Sequence, residues 1–222
     1  MRTFRDFMET SLYDPERGFY AVREKSADFY TAPELHGAFG AVLADRLAGL
    51  LARCGAGPLA LVEGGCGNGT LACQVARRLL SAHAPLAARL TFVLVERNRK
   101  DLTEATRRLT AFTPRVAAYT SVDKLPTFAG VLYSNELIDA LPFHVLEKRG
   151  DEVLELCVDD KGTEALKPLS RPGLAVPADA VKDSLADGER HAVSLEAAAW
   201  LTTAANRLTK GFMLTADYGK RF

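Results

Sequence analysis

Phe4, Phe7, Met8 and Leu12 recur at helical spacing, and the run Tyr13-Asp14-Pro15-Glu16-Arg17-Gly18 then breaks the pattern with turn residues. The chain is therefore expected to open with a short helix. Thr31 followed by Pro33 and Glu34 has the form of a capping box. Behind it Leu35, Phe39, Val42, Leu43, Leu47, Leu50 and Leu51 make one apolar face, which predicts a second helix running to about Cys54 and stopped by Gly55.

From residue 59 the period changes. Leu59 to Glu63, Leu90 to Glu96, Val116 to Tyr119 and Val131 to Ser134 are apolar runs of strand length, and helices are expected between them over Thr70–Ser81 and about Arg99–Leu109. Continuous rather than alternating apolar strands, separated by helices, indicate a mostly parallel sheet covered on both faces: a doubly wound α/β domain. After Pro142 the pattern becomes a hairpin, Val145 to Lys148 and Val153 to Val158 about a turn at Arg149-Gly150-Asp151. Lys161 to Glu189, rich in Pro, Gly and Asp, reads as an irregular excursion. A last helix, Leu195 to Leu208, leads to a buried strand at Phe212 to Ala216. The expected organisation is an N-terminal helical segment over 1–56 packing on the core, then an α/β domain over 57–222 with an insertion at about 143–190. The final strand would lie on an open sheet edge.

A chain of 222 residues with 48% apolar content can bury a sizeable core. Its 28 Lys and Arg balance 28 Asp and Glu, which gives no sign of a nucleic-acid groove or a polybasic membrane patch. Cys54, Cys66, Cys73 and Cys157 form neither a C-x-x-C pair nor a zinc pattern, so a reducing compartment and no metal are expected. No apolar run reaches the roughly 20 residues that span a bilayer, and Met1 to Leu12 carries charges where a signal peptide is apolar. The expectation is a soluble cytoplasmic protein, or a mitochondrial matrix protein if the source is eukaryotic. His36, His83, His144 and His191 show no Cys or carboxylate constellation and are expected to be structural or exposed; Trp200 is expected in the core.

The strongest motif is Glu63-Gly64-Gly65-Cys66-Gly67-Asn68-Gly69-Thr70, between a strand and a helix. A glycine-rich first turn lets a nucleoside approach the backbone at the carboxyl edge of such a sheet, which makes Gly65, Gly67 and Gly69 candidate cofactor contacts. A dinucleotide fingerprint would want Gly or Ala at position 70, where Thr stands. Glu63 is better suited to the cationic methionine end of S-adenosylmethionine than to a pyrophosphate. Glu96 closes the second strand and is placed to accept both ribose hydroxyl protons. At the fourth strand end Asn135 can orient cofactor or substrate, while Glu136 and Asp139 can hold a cationic nucleophile, or else cap a following helix. Cys66, near a helix N-terminus, is a thiol whose pKa could be lowered.

Phe4-Arg5-Asp6-Phe7-Met8, Tyr13 through Tyr20, Asp28-Phe29-Tyr30-Thr31-Ala32-Pro33-Glu34, the glycine turn, Asn135-Glu136 with Asp139-Ala140-Leu141-Pro142, and Asp217-Tyr218-Gly219 occur in order along the chain. Together they resemble the MidA-like family of the mitochondrial complex I assembly arginine methyltransferase and its bacterial relatives. The resemblance implies a class I methyltransferase (Rossmann-like) fold and S-adenosyl-L-methionine as donor. For the mitochondrial member it implies symmetric dimethylation of an arginine on a respiratory complex I subunit. It assigns Glu63, Gly65, Gly67, Gly69 and Glu96 to the cofactor, Asn135 and Glu136 to the active-site strand end, and Tyr30 and Thr31 to a segment closing over the cofactor. Gly64 and Cys66 replace the family's usual Leu and its Pro or Ala, Leu137 and Ile138 replace two aromatics, and family members continue past Asp217-Tyr218-Gly219 into further strands. The alternative is an assembly module that binds the cofactor without turnover.

Overall fold

The computed structural model describes residues 1–22 and 32–218. In chain order its elements are β1 (Arg2–Thr3), α1 (Phe4–Tyr13), α2 (Phe19–Val22), α3 (Ala32–Leu35) and α4 (Ala38–Ala52). Next come β2 (Leu59–Gly64), α5 (Thr70–Ala82), α6 (Ala84–Ala87), β3 (Leu90–Val95), α7 (Arg99–Thr110), β4 (Val116–Tyr119) and β5 (Phe128–Asn135). They are followed by β6 (His144–Arg149), β7 (Glu152–Val158), β8 (Glu164–Lys167), α8 (Ala175–Lys182), β9 (Arg190–Val193), α9 (Leu195–Arg207) and β10 (Leu208–Ala216). By its internal contacts the chain divides into Met1–Arg23 with Ala140–Ala199, and Glu24–Asp139 with Trp200–Phe222. The stretch 1–56 is thus shared out: β1 and α1 belong to the first unit and α4 to the second.

The second unit is built on a sheet in the order β10-β5-β2-β3-β4, with every neighbouring pair parallel. Successive side chains alternate between its faces. Leu61, Leu94, Val131 and Tyr133 meet Leu47 and Leu51 of α4, Leu71, Val75 and Leu79 of α5, and Leu102 and Leu109 of α7. Val62, Val93 and Leu132 face the other way, against Val122, Leu125, Trp200 and Ala204. Both faces are covered, as the apolar runs imply, and the sheet is the doubly wound α/β type. Full burial of a side chain such as Leu79 contributes about 1.5–3 kcal/mol, and Leu79→Ala should cost about 2–5 kcal/mol once the cavity is included.

The helix expected from residue 31 to Cys54 is instead two: α3 and α4 are separated at His36-Gly37. Leu35 and Val42, read from the sequence as part of its apolar face, are exposed, and the buried residues of α4 are Gly40, Ala44, Leu47, Ala48, Leu50 and Leu51. Small residues can pack helix against helix, so Gly40 lies so close to α5 that an added Cβ would stand 2.4 Å from the Gln74 Cβ. The proposed cap Thr31 lies outside the described residues.

The first unit carries an antiparallel sheet in the order β1-β7-β6-β9, with β8 also paired to β7. The expected hairpin is therefore the centre of a larger sheet. The stretch 161–189, expected to be irregular, contains β8 and α8. Both were hard to read because β8 is four residues long and α8 itself buries only Ala178, beside Leu174 and Leu146. Hairpin register also gives His144 a carboxylate the sequence did not reveal. Its ring is fully buried, with Nδ1 2.6 Å from Glu155 Oε1, and Glu155 Oε2 accepts the Ser170 N–H at 2.6 Å. No helix among the described residues is long and apolar enough to cross a membrane.

Candidate cofactor site

Strand β2 and helix α5 are joined by the glycine turn, at the carboxyl edge of the parallel sheet. Gly67 (φ 50°) and Gly69 (φ 79°) both take left-handed conformations that side chains with a Cβ disfavour. At Gly69 packing adds to this, because a Cβ would stand 2.8 Å from the Cα of Ala105 on α7. At Gly67 a Cβ would meet nothing within 4 Å, so the backbone there borders open space. Asn68 Oδ1 accepts from Thr70 N (3.1 Å) and Thr70 Oγ1 (2.8 Å), and Arg108 of α7 donates to Asn68 O (3.0 Å) and Thr70 Oγ1 (3.1 Å). Thr70 thus anchors the start of α5 to α7.

Glu96, just beyond β3, ties two loops together. Its Oε2 accepts the Gly67 N–H at 3.0 Å and its Oε1 the Asn98 N–H at 2.8 Å. Burial raises its pKa, opposed by these backbone donors. An ionised carboxylate has about four acceptor sites, so two bound N–H groups leave capacity for the hydroxyls of a ribose.

Glu63 is only 4% exposed. Its partner is Tyr133, which stands opposite it in the β2–β5 register and donates its hydroxyl to Glu63 Oε2 at 2.7 Å. Burial pushes the Glu63 carboxyl up to about 8, the Tyr133 bond opposes that rise, and the Glu96 charge adds to it.

β5 lies beside β2, with Ser134 opposite Gly64, so Asn135 and Glu136 follow at the same edge of the sheet. Glu136 has φ 50°, an uncommon conformation for a residue with a Cβ, and is held by its N–H donating to Ala216 O at 2.9 Å. No helix follows it; residues 138–140 form a turn, which removes the helix-capping role. Asp217 caps that turn by accepting the N–H groups of Ile138 (2.8 Å) and Asp139 (3.4 Å). Leu137 folds back onto the glycine turn, where a Cβ on Gly65 would stand 2.8 Å from its Cδ1. Burial raises the Glu136 pKa, and the charges of Asp139, Asp217 and Glu34 raise it further, against the 3.4 Å hydrogen bond from Asn135. This edge suits a cation.

The structure therefore brings Glu63, Gly65, Gly67, Gly69, Glu96, Asn135, Glu136 and Asp139 to one edge of one sheet, while Tyr30 and Thr31 lie outside the described residues. Cys66 is corrected. Its thiol is buried rather than poised at a helix start, and burial together with the charges of Glu63, Glu96 and Asp101 pushes its pKa up. Tyr133 and Asp217 were missed as site residues. Asp217 stood in a recognised motif without a role, and nothing local marked Tyr133.

A glycine turn bordering open space, a carboxylate at the next strand end and an acidic patch beyond make a candidate nucleoside-cofactor site on a doubly wound sheet. Residues 42–221 match the model of the family described as "Putative S-adenosyl-L-methionine-dependent methyltransferase", and the chain belongs to that family. It is 26% identical to the mitochondrial protein arginine methyltransferase NDUFAF7 homolog of Caenorhabditis elegans and 27% identical to NDUFAF7 of Xenopus tropicalis, over 98% of its own length. A COG1565 superfamily member from Burkholderia thailandensis, solved with S-adenosyl-homocysteine, superposes with a TM-score of 0.80 at 28% identity over 98% of this chain. The chain spans 58% and 57% of the two curated relatives and 58% of that structure. The cofactor of the family is S-adenosyl-L-methionine, and the glycine turn with Glu96 fits its nucleoside.

Proposed function

We propose that this chain carries the cofactor site and the acidic strand end of a methyltransferase that acts on a protein arginine, with a respiratory complex I subunit as the acceptor. The observation that carries the acceptor assignment is the grouping of Glu136, Asp139 and Asp217 at the end of β5, with the Glu136 backbone held in a left-handed conformation by Ala216. The naming of both curated relatives as arginine methyltransferases supports it.

Bound S-adenosyl-L-methionine supplies an electrophilic methyl on a sulfonium. Gly65 and Gly69 hold the turn against Leu137 and Ala105, Gly67 lets the cofactor lie against backbone, and Glu96 accepts the ribose hydroxyls. Glu63 lies buried behind the turn, hydrogen-bonded to Tyr133, and supplies negative charge there only where it is ionised, above about pH 8. Glu136 holds the guanidinium by charge-assisted hydrogen bonds, with Asp139 as a second carboxylate and Asn135 as the polar group that orients the pair. A guanidinium that has gained a methyl remains a cation after losing one proton to solvent.

Incubation with tritiated S-adenosyl-L-methionine and arginine-bearing complex I peptides, followed by amino-acid analysis, tests this reading. Label in methylarginine that Glu136→Gln reduces by at least about a hundredfold is expected, the scale of losing a group that aligns the reactant. Label in another residue type would overturn the acceptor assignment. Cofactor binding without any transfer would make the chain an assembly module.

A further inference from the structure

Tyr133 and Glu63 form a hydrogen-bonded pair inside the sheet, 2.7 Å apart, with Tyr133 2% and Glu63 4% exposed. Glu63 stands two residues before Gly65, so the pair sits directly behind the glycine turn. The groups facing it come from each packed element: Cys66 from the turn, Cys73 from α5, and Glu96 from beyond β3. All are acids, and none supplies the positive charge that normally keeps a buried carboxylate ionised. Among the described residues, the Tyr133 phenol is the one group on Glu63 that favours its anionic form.

We propose that Tyr133 is a positioning residue that governs whether Glu63 stands as a carboxylate behind the turn, and through that charge sets the site's preference for the cationic donor over its neutral by-product. The proposal rests on the reading of the β2–α5 turn as the cofactor site. S-adenosyl-L-methionine and S-adenosyl-homocysteine differ by one methyl and one positive charge. A carboxylate at Glu63 attracts the first more than the second; a neutral carboxyl does not distinguish them by charge. The direction with pH follows. Glu63 is neutral at low pH and ionised above about 8, so preference for the donor rises as the pH passes that value. Without the Tyr133 hydroxyl, the carboxylate loses its donor and ionises at higher pH.

Calorimetric titration of the protein with each of the two ligands, from pH 6 to pH 9, gives the ratio of their affinities. The wild type is expected to gain roughly tenfold in donor preference across its transition, the size a unit charge exerts through a partly screened interior. In Tyr133→Phe the same rise should come at higher pH, and in Glu63→Gln the rise that depends on Glu63 should be gone. The ligands' own amines titrate alike in all three proteins and cancel between them. Circular dichroism identifies a variant that has not folded. Wild-type and Glu63→Gln ratios that follow one another, or an unmoved midpoint in folded Tyr133→Phe, would overturn the proposal while leaving the cofactor site standing. Absence of binding by either ligand to the wild type would overturn the site reading and the proposal together.

Discussion

The Glu96 carboxylate accepts the backbone N–H of Gly67 across 3.0 Å, which locks the end of one strand to the middle of the turn that follows its neighbour. Two strand ends thereby form one rigid edge, with the second carboxylate oxygen fixing the Asn98 N–H. An adjacent site gains precision from such cross-ties, since a contact made by a free loop would have to be ordered at each binding event.

The glycines separate folding from binding. Gly69→Ala forces a Cβ to within 2.8 Å of Ala105 at φ 79° and should lower stability by about 1–3 kcal/mol. Gly67→Ala meets no neighbour and should cost only about 1 kcal/mol from its φ. It should nevertheless weaken S-adenosyl-homocysteine at least about tenfold, by filling the space over the turn. Urea midpoints and calorimetric affinities of the two variants check the contrast.

Glu63 makes stability depend on pH. Its carboxyl lies near 4.5 when unfolded and is raised to about 8 when folded. Between those values the folded chain holds a proton that the unfolded chain has released, so stability falls as the pH rises from about 5 to 8. The loss should be on the order of a few kcal/mol. Urea unfolding across this range should show the fall in the wild type and a flatter curve in Glu63→Gln.

In the first unit, Glu155→Ala leaves the fully buried His144 ring and the Ser170 N–H without their carboxylate partner and should cost about 1–3 kcal/mol for each polar group left unsatisfied. Glu104→Ala, which breaks the exposed pair with Arg107, should change the thermal midpoint far less. Equal effects would show that the buried pair is not a stability determinant.

Asp217→Ala removes the acceptor of the Ile138 and Asp139 N–H groups. Since neither N–H belongs to the glycine turn or to the Glu96 ties, S-adenosyl-homocysteine affinity should change less than about threefold, while methyl transfer falls by about tenfold or more through misplacement of the strand-end carboxylates. Parallel binding and turnover measurements check the split.

Which of these residues could be read in advance follows from the range of the interaction that places them. Leu59–Glu63 and Leu90–Val95 were legible because buried parallel strands are continuous apolar runs, and Gly65, Gly67 and Gly69 because a left-handed turn demands them locally. Tyr133 was not legible, since it reaches Glu63 only through the β2–β5 register, and Asp217 only through the pairing of Ala216 with Asn135. Leu35 and Val42 misled because an apolar period over-counts a helix whose buried stripe is small residues such as Ala44 and Ala48. Beyond residue 160, β8, α8 and β9 are too short for their periods to register.

The most direct test of the cofactor site is calorimetric titration of the wild type and Glu96→Ala with S-adenosyl-homocysteine, with NAD as the competing ligand. The account predicts micromolar binding of the homocysteine nucleoside, none of NAD, and at least a tenfold loss in Glu96→Ala, since that substitution removes the proposed ribose acceptor and the tie to Gly67. Equal affinity of wild type and folded Glu96→Ala, or preferential binding of NAD, would contradict it.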